Sequence, residues 1–359
     1  GGNQSGIESG KRIVTSSDPN NYIIATIEGN KVFLKGRLAY DDFHEIWVKL
    51  HYGNAYDEDM PESRDVLNDR YEKEASDFNW DYSYGLYSLG KDKTFDMEVN
   101  LKNSKINRLL VYGINRENKF PGDDDSTKDY VAIYDSYFFI EKNGSEYRFL
   151  PVREYEHNQS VMRTLKDPSK YLDTSYMSPE VKTALKSLSD RIVAGAKTDR
   201  EKLLKIHDWM TAKLVYNKDF VDGQGENFNA PVDIIQNGTS QCYGFTILFT
   251  DLARLQGIPT TKAIGYIRYE PYHKSFEKYD DYGPNFNLHS WNVSYVDGKW
   301  IQIDVTWDIQ SEIKNRVIQW KKSEHSYFDI NLELFSHDHL LDYFREKHEW
   351  GHKEDDIDL

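Results

Sequence analysis

The sequence predicts an all-β domain followed by an α+β domain, and two changes of pattern along its 359 residues set that order. From about Asn20 to Leu150, apolar and β-branched residues alternate in short runs separated by turn dipeptides, the period-2 signature of half-buried strands. From Ser178 onward, apolar residues recur at helical spacing behind capping residues, and strands return only after Ile258. A third observation bears on function: the single cysteine, Cys242, sits between a turn and an apolar helix.

Within the first stretch, Tyr22-Ile-Ile-Ala-Thr-Ile-Glu and Lys31-Val-Phe-Leu-Lys-Gly-Arg-Leu flank Gly29-Asn30, reading as strand, tight turn and strand. Runs at Glu45–Tyr52, Ser83–Leu89, Thr94–Leu101 and Asn107–Ile114 follow, and Tyr130–Lys142 and Glu146–Leu150 flank the turn Asn143-Gly144. About seven strands with turns between them predict an immunoglobulin-like sandwich over residues 20–150. Acidic runs at Asp57–Asp69 and Asp123-Asp124-Asp125 interrupt it. The latter lacks a spaced ligand loop ending in glutamate and reads as a solvated loop rather than a Ca²⁺ site. Residues 1–19 open Gly-Gly-Asn-Gln-Ser-Gly, with neither initiator methionine nor apolar stretch. They read as a cloning remnant or processed start in a disordered N-terminus.

Composition removes several classes. A net charge of −15 denies the chain the positive footprint that a general nucleic-acid or anionic-membrane binder needs. No apolar run reaches about 18 residues, so no transmembrane helix is predicted. One cysteine cannot close an intramolecular disulfide. The 26 tyrosines suit half-buried β surfaces, and also peptide- or sugar-binding faces.

Residues 151–177 are polar, carry few apolar repeats and read as a linker. Ser178-Pro179 then supplies an N-cap and a first-turn proline for a helix to about Val193. Thr198-Asp-Arg-Glu201 is a capping box ahead of a helix with the apolar face Leu203, Ile206, Trp209 and Met210. His207, beside that face, reads as packing or capping. A third helix starts at or next to Cys242 and runs to about Gln256, with Gly257 as its cap and Ile258-Pro259 as its stop. Strands are predicted at Lys262–Tyr269, Ser290–Tyr295 and Trp300–Asp304.

At a helix start, Cys242 meets unpaired N–H groups and the positive end of the dipole. Both favour a thiolate, and the same N–H groups point where a tetrahedral oxyanion forms. The dipeptide Asp297-Gly298 sets the register of the following hairpin. With those two residues as the loop, Val296 pairs with Lys299, Tyr295 with Trp300, and so down to Trp291 with Asp304. His289 is two positions from Trp291 and shares its face. His289 and Asp304 are then diagonal neighbours, within reach of an imidazole–carboxylate hydrogen bond. A one-residue slip separates them.

The blocks Ser240-Gln-Cys242-Tyr-Gly-Phe, Leu288-His289-Ser-Trp291-Asn292 and Ile303-Asp304-Val-Thr-Trp307-Asp308 resemble the three motifs of the transglutaminase-like superfamily. The resemblance covers roughly residues 180–345, and Tyr327-Phe-Asp-Ile and Phe335-Ser-His-Asp-His339 resemble the end of bacterial members. It implies a papain/transglutaminase-like catalytic domain of helices plus antiparallel sheet. It also implies a Cys242–His289–Asp304 triad acting on amides through an acyl-enzyme that passes to water or to a lysine amine. The backbone N–H of Cys242 is expected as one oxyanion donor, with Tyr216 or Gln241 as the second. Trp291, Trp300 and Trp307 read as core residues, and Asn292 and Asp308 as residues that order the local backbone.

The expected organisation is therefore a disordered stretch 1–19, a β-sandwich 20–150, a linker 151–177, a transglutaminase-like domain 178–345 and a tail 346–359. The expected function is a cysteine peptidase, amidase or protein-modifying enzyme, extracellular or at a bacterial cell surface. A lipid anchor on a removed N-terminus is compatible with it. A protein or peptide, or a cell-wall component, is the expected partner, with specificity in the loops Asp219–Pro231 and Tyr269–Asn287. Two alternatives stand beside it: a non-catalytic cell-surface or cell-wall binding protein that keeps the fold, and a transamidase joining Gln to Lys. No cofactor or metal is expected. His325, His337 and His339 lack a cysteine or spaced carboxylates to complete a site. His348-Glu349-Trp350-Gly351-His352 matches a zinc-protease pattern but has a helix-weakening glycine and little chain beyond it for a third ligand.

Overall fold

A computed structural model describes residues 7–8, 10–42, 44–53, 81–115, 131–152, 154–268 and 288–346. The acidic runs at 57–69 and 123–125, the loop 269–287 and the motif at 348–352 lie outside the described residues. The chain divides into two compact units: Gly1–Glu156 with Ile267–Phe286 and Asp329–His339, and His157–Tyr266 with Asn287–Phe328 and Leu340–Leu359. Among the described residues no helix is long and apolar enough to cross a membrane.

The first unit is all-β over its N-terminal stretch. Its strands are β1 (Ile7–Glu8), β2 (Arg12–Val14), β3 (Asn21–Glu28), β4 (Lys31–Leu38), β5 (Glu45–Gly53), β6 (Asp81–Ser88), β7 (Thr94–Asn100), β8 (Ile106–Asn115), β9 (Val131–Asn143) and β10 (Glu146–Phe149). They form two antiparallel sheets, ordered β1-β2-β3-β4-β7 and β10-β9-β8-β5-β6. Alternation is strict where the sequence promised it: Ile23, Ala25 and Ile27 of β3 and Val32 and Leu34 of β4 are buried. They share one core with Val48, Leu50, Leu109, Val111, Phe138 and Ile140 of the other sheet.

Two findings here differ from the sequence reading. Residues after Gly6 are not all irregular: Ile7 pairs with Ile13, β2 pairs with β3, and Ile13 is buried in the core. Ile7 and Ile13, directly opposed, lie on one face of this short hairpin and pack against the core of the first unit. The segment Asp329–His339, expected with the C-terminal domain, clusters with the first unit instead. The Asn331 N–H donates to Thr15 O at 2.7 Å, Ser16 bridges to Ile330, and Leu334 joins the core.

The second unit opens with helices. The expected linker holds α1 (Tyr155–Met162) and a 3₁₀ turn at Pro168–Tyr171. α1 escapes an apolar-period reading because its anchors are polar: the Asn158 side chain accepts the Leu341 N–H at 2.8 Å, and His157 Nε2 lies 2.7 Å from Leu341 O. α2 (Pro179–Ile192) and α3 (Asp199–Lys213) start as their caps predict, with the Ser178 and Thr198 hydroxyls accepting from Val181 N–H and Glu201 N–H. Next come β11 (Val215–Asn217), α4 (Lys218–Val221), α5 (Pro231–Asn237), β12 (Thr239–Ser240) and α6 (Cys242–Leu255). α6 is buried at every position from Gly244 to Leu255, which explains a sequence that is apolar nearly all round. The Ser189 hydroxyl of α2 donates to Leu252 O of α6 at 2.9 Å.

Beside α6 lies a sheet ordered β18-β15-β14-β13-β19. Its members are β13 (Thr260–Ile267), β14 (Leu288–Val296), β15 (Lys299–Ile303), β18 (Phe328–Ile330) and β19 (His339–Arg345). Between them in sequence stand α7 (Val305–Asp308), β16 (Glu312–Lys314), β17 (Val317–Gln319) and α8 (Leu332–Phe335). A second sheet has the order β12-β11-β16-β17, and its strand β12 leads into the start of α6.

Candidate active site

The helix that carries Cys242 is set by the residues just before it. α5 ends at Gly238, the next two residues form β12, and β12 runs parallel to β11 with Tyr216 opposite Ser240. Gln241 is the extended N-cap residue, so Cys242 opens α6 in the first turn, where N–H groups have no partner four residues back. The Gln241 side chain does not cap the helix; its Oε1 lies 3.3 Å from Cys242 Sγ. Cys242 itself is half-buried.

Gly244 is required by close approach. A Cβ there would sit 1.9 Å from Ser240 Oγ and 2.7 Å from Phe228 O. The Ser240 hydroxyl is itself bonded to Phe228 O, so it has no easy retreat. Gly244→Ala should therefore lower stability by about 1–3 kcal/mol, as overpacking does, and push the start of α6 out of place. Thermal unfolding measures the first effect and the Cys242 alkylation rate the second. Ser240→Gly in the same chain should restore part of both, since the approach to the Phe228 carbonyl remains.

The hairpin follows the predicted register, Val296 opposite Lys299 and Tyr295 opposite Trp300. Asp297 and Gly298 both have positive φ, 55° and 78°, as a primed two-residue turn needs. The ladder stops one pair earlier than expected, at Asn292 opposite Ile303. Asp304 has left the strand and caps α7, its Oδ1 accepting from Trp307 N–H at 3.1 Å. Its other oxygen, Oδ2, lies 2.7 Å from His289 Nε2, and both side chains are buried. That contact leaves His289 Nδ1 as the nitrogen for the thiol.

Two indoles fix the imidazole. Trp291 stacks on His289 with ring centres 6.1 Å apart, and Trp307 lies 5.7 Å away at a tilt. Trp291 is anchored in turn by donating its Nε1–H to Gln302 Oε1 at 2.9 Å. Asn292 faces α6 rather than the thiol, with Nδ2 2.8 Å from Thr250 Oγ1 and 3.1 Å from Thr246 O, and so holds helix to sheet.

Electrostatics tie thiol to imidazole. Burial pushes the Cys242 thiol up, but the hydrogen bond and charge of His289 and the Ser290 N–H outweigh it, so the net shift is down. Burial pulls His289 down, yet the Asp304 charge and hydrogen bond, together with Cys242, raise it to about 10. Opposite shifts of this kind favour a thiolate–imidazolium pair near neutral pH.

The structure thus brings Cys242, Gln241, His289, Asp304 and Trp291 together. Tyr216 stands on the strand beside Ser240, and its backbone N–H donates to Ser311 O at 2.9 Å. Two contributors went unnoticed in the sequence. The Ser290 N–H at the sulfur has no sequence signal. The capping role of Asp304 does have one, an aspartate ahead of a short apolar turn.

Residues 186–305 match the family model of the Transglutaminase-like superfamily. Kyphoscoliosis peptidase of Mus musculus and that of Homo sapiens are each 26% identical over 136 residues, 38% of this chain. The aligned stretch spans 20% of the length of those relatives. Among solved structures, red sea bream transglutaminase aligns with a TM-score of 0.27 at 12% identity, covering 78% of this chain and 48% of its own. The periplasmic domain of TgpA from Pseudomonas aeruginosa aligns with a TM-score of 0.30 at 11% identity, covering 75% and 89%.

Proposed function

We propose that this chain, through its transglutaminase-like domain, is a thiol enzyme acting on amide bonds, with Cys242 as nucleophile, His289 as base and acid, and Asp304 as the orienting carboxylate. The observation that carries this reading is the 2.7 Å contact between His289 and a buried Asp304, with the remaining ring nitrogen left for the thiol. The Cys242 thiolate attacks the carbonyl carbon, and the new oxyanion meets the N–H groups of the first turn of α6. As the C–N bond breaks, His289 gives its proton to the leaving amine. The acyl-enzyme then passes to water or to an amine, His289 taking the proton of whichever attacks and the thiolate leaving.

Gln241 is our choice for the second oxyanion donor. Its amide stands at the sulfur and presents NH₂ after a flip, whereas the Tyr216 N–H is already used by Ser311. A protein or peptide is the substrate class, and an extracellular or cell-surface setting is part of the proposal. The test is incubation with a glutamine-containing peptide and a fluorescent primary amine, read by mass. Cleavage or deamidation without amine adduct marks a hydrolase, and an adduct marks a transamidase. Neither product, in a chain whose thiol alkylates no faster than free cysteine at pH 7, overturns the reading. Cys242→Ala is the control.

A further inference from the structure

A second cluster of ionisable side chains lies within the same unit, outside the triad. His207 Nδ1 stands 2.9 Å from Asp208 Oδ1, and His325 Nε2 stands 2.6 Å from the same oxygen. The three candidate ligand atoms all lie within 4.8 Å of one another. The other nitrogen of His207, Nε2, is 2.8 Å from Asp308 Oδ2, and Asp308 also accepts from the Tyr327 N–H. His207 and Asp308 are fully buried and His325 nearly so, whereas the Asp208 side chain is 46% exposed.

Protons alone fill this geometry only with a charge buried at His207. A neutral imidazole has one N–H, yet both nitrogens of His207 face carboxylate oxygens. Satisfying both needs a fully buried imidazolium or a protonated carboxylate, while His325 can donate its own Nε2–H to the same Asp208 oxygen. A divalent cation at the convergence point supplies the positive charge there without a buried imidazolium. It takes the lone pairs of His207 Nδ1 and His325 Nε2 and one Asp208 oxygen, while the Nε2–H of His207 stays on Asp308. A ligating histidine whose second nitrogen donates to a carboxylate is the usual outer arrangement of such sites.

We infer that His207, Asp208 and His325 form a binding site for a transition-metal dication, zinc foremost, with Asp308 orienting His207. Two imidazoles and one carboxylate suit Zn²⁺, and the oxygen count is too low for Ca²⁺ or Mg²⁺. Metal bonds of about 2.0–2.2 Å at tetrahedral angles place ligand atoms roughly 3.3 Å apart, so the present contacts need to open by about half an ångström. Asp208 can supply that movement, because its exposed side also gives the ion and a water ligand a way in. Asp308 ends α7, and Asp304 caps the start of the same short helix. An ion here would brace the segment that carries the partner of His289, a positioning role rather than a catalytic one.

The test uses the full chain carrying Cys242→Ala, so that the thiol contributes no ligand. After chelator treatment and dialysis, it is titrated with CoCl₂ and, separately, ZnCl₂. Visible Co²⁺ d–d bands should saturate at one equivalent and be displaced by Zn²⁺. A hundredfold excess of Zn²⁺ over its dissociation constant should raise the melting temperature by about 5 °C. Asp208→Asn, with far-UV circular dichroism as the check that the fold is kept, should abolish both, and His325→Ala should do the same. The double change His348→Ala, His352→Ala should leave both unchanged. Absence of saturable binding, binding that survives Asp208→Asn, or binding lost with His348 and His352 would each overturn the site. None of these outcomes depends on whether Cys242 turns over an amide.

Discussion

His289→Ala should slow alkylation of Cys242 by iodoacetamide at pH 6 by about a hundredfold. In the native site two opposing influences act on the thiol: burial and the Asp304 charge push it up, while His289 and the Ser290 N–H pull it down and win. Removing the imidazole leaves burial and Asp304 almost unopposed, so the thiolate all but vanishes at pH 6. The native rate should change less with pH than that of the variant. The rate of the variant should climb about tenfold per pH unit towards the alkaline side, as for an ordinary thiol. A variant that alkylates at the native rate at pH 6 would show that His289 does not activate the thiol.

The same group links stability to pH. His289 is raised from 6.5 to about 10 in the folded chain. Below 6.5 both folded and unfolded chains hold the proton, and the stabilisation is complete. Between 6.5 and about 10 only the folded state keeps it, so stability from this group falls as pH rises and is lost above that window. In a Cys242→Ala background, which removes the opposite shift of the thiol, urea midpoints should therefore decline from pH 6 to pH 10, with this component missing once His289 is also changed to Ala.

Trp291→Ala should cost about 3–5 kcal/mol, among the largest effects of any single change in the second unit. The indole is 1% exposed, so its removal leaves a cavity beneath the sheet. It also strands the buried Gln302 Oε1 that accepts from Nε1, and it removes the ring on which His289 stacks. Trp291→Phe separates these losses: most of the packing stays, the hydrogen bond goes, and a cost of about 1–3 kcal/mol is expected. Equilibrium urea unfolding gives both values. A loss below about 1 kcal/mol for the alanine variant would mean the indole is not the buried anchor described here.

How far the sequence could be read depended on the range of the interactions. The His289–Asp304 neighbourhood was legible because Asp297-Gly298 fixes a register that then propagates residue by residue. The last step failed by one pair, since the side chain of Asp304 finds the Trp307 N–H and turns the chain into a helix. The caps Ser178 and Thr198 were legible for the same local reason. The return of Leu334 to the core of the first unit was not, because it is a packing event between segments far apart in the chain. Nor was α1, whose anchors His157 and Asn158 bind backbone instead of burying apolar surface. His207 looked like a helix-face residue, and only the fold brings Asp308 and His325 to it.

The hairpin also dictates an order of assembly. His289 and Asp304 are 15 positions apart on one turn, so closing that loop is quick and entropically cheap. Cys242 reaches them only when α6 docks on β14 across a much longer span, a slower event for a contact of high sequence separation. During refolding the imidazole–carboxylate pair should therefore form before the thiol is activated. Because the chain has one cysteine, a pulse of alkylating reagent at successive refolding times reports that docking step alone, as a late rise in labelling rate.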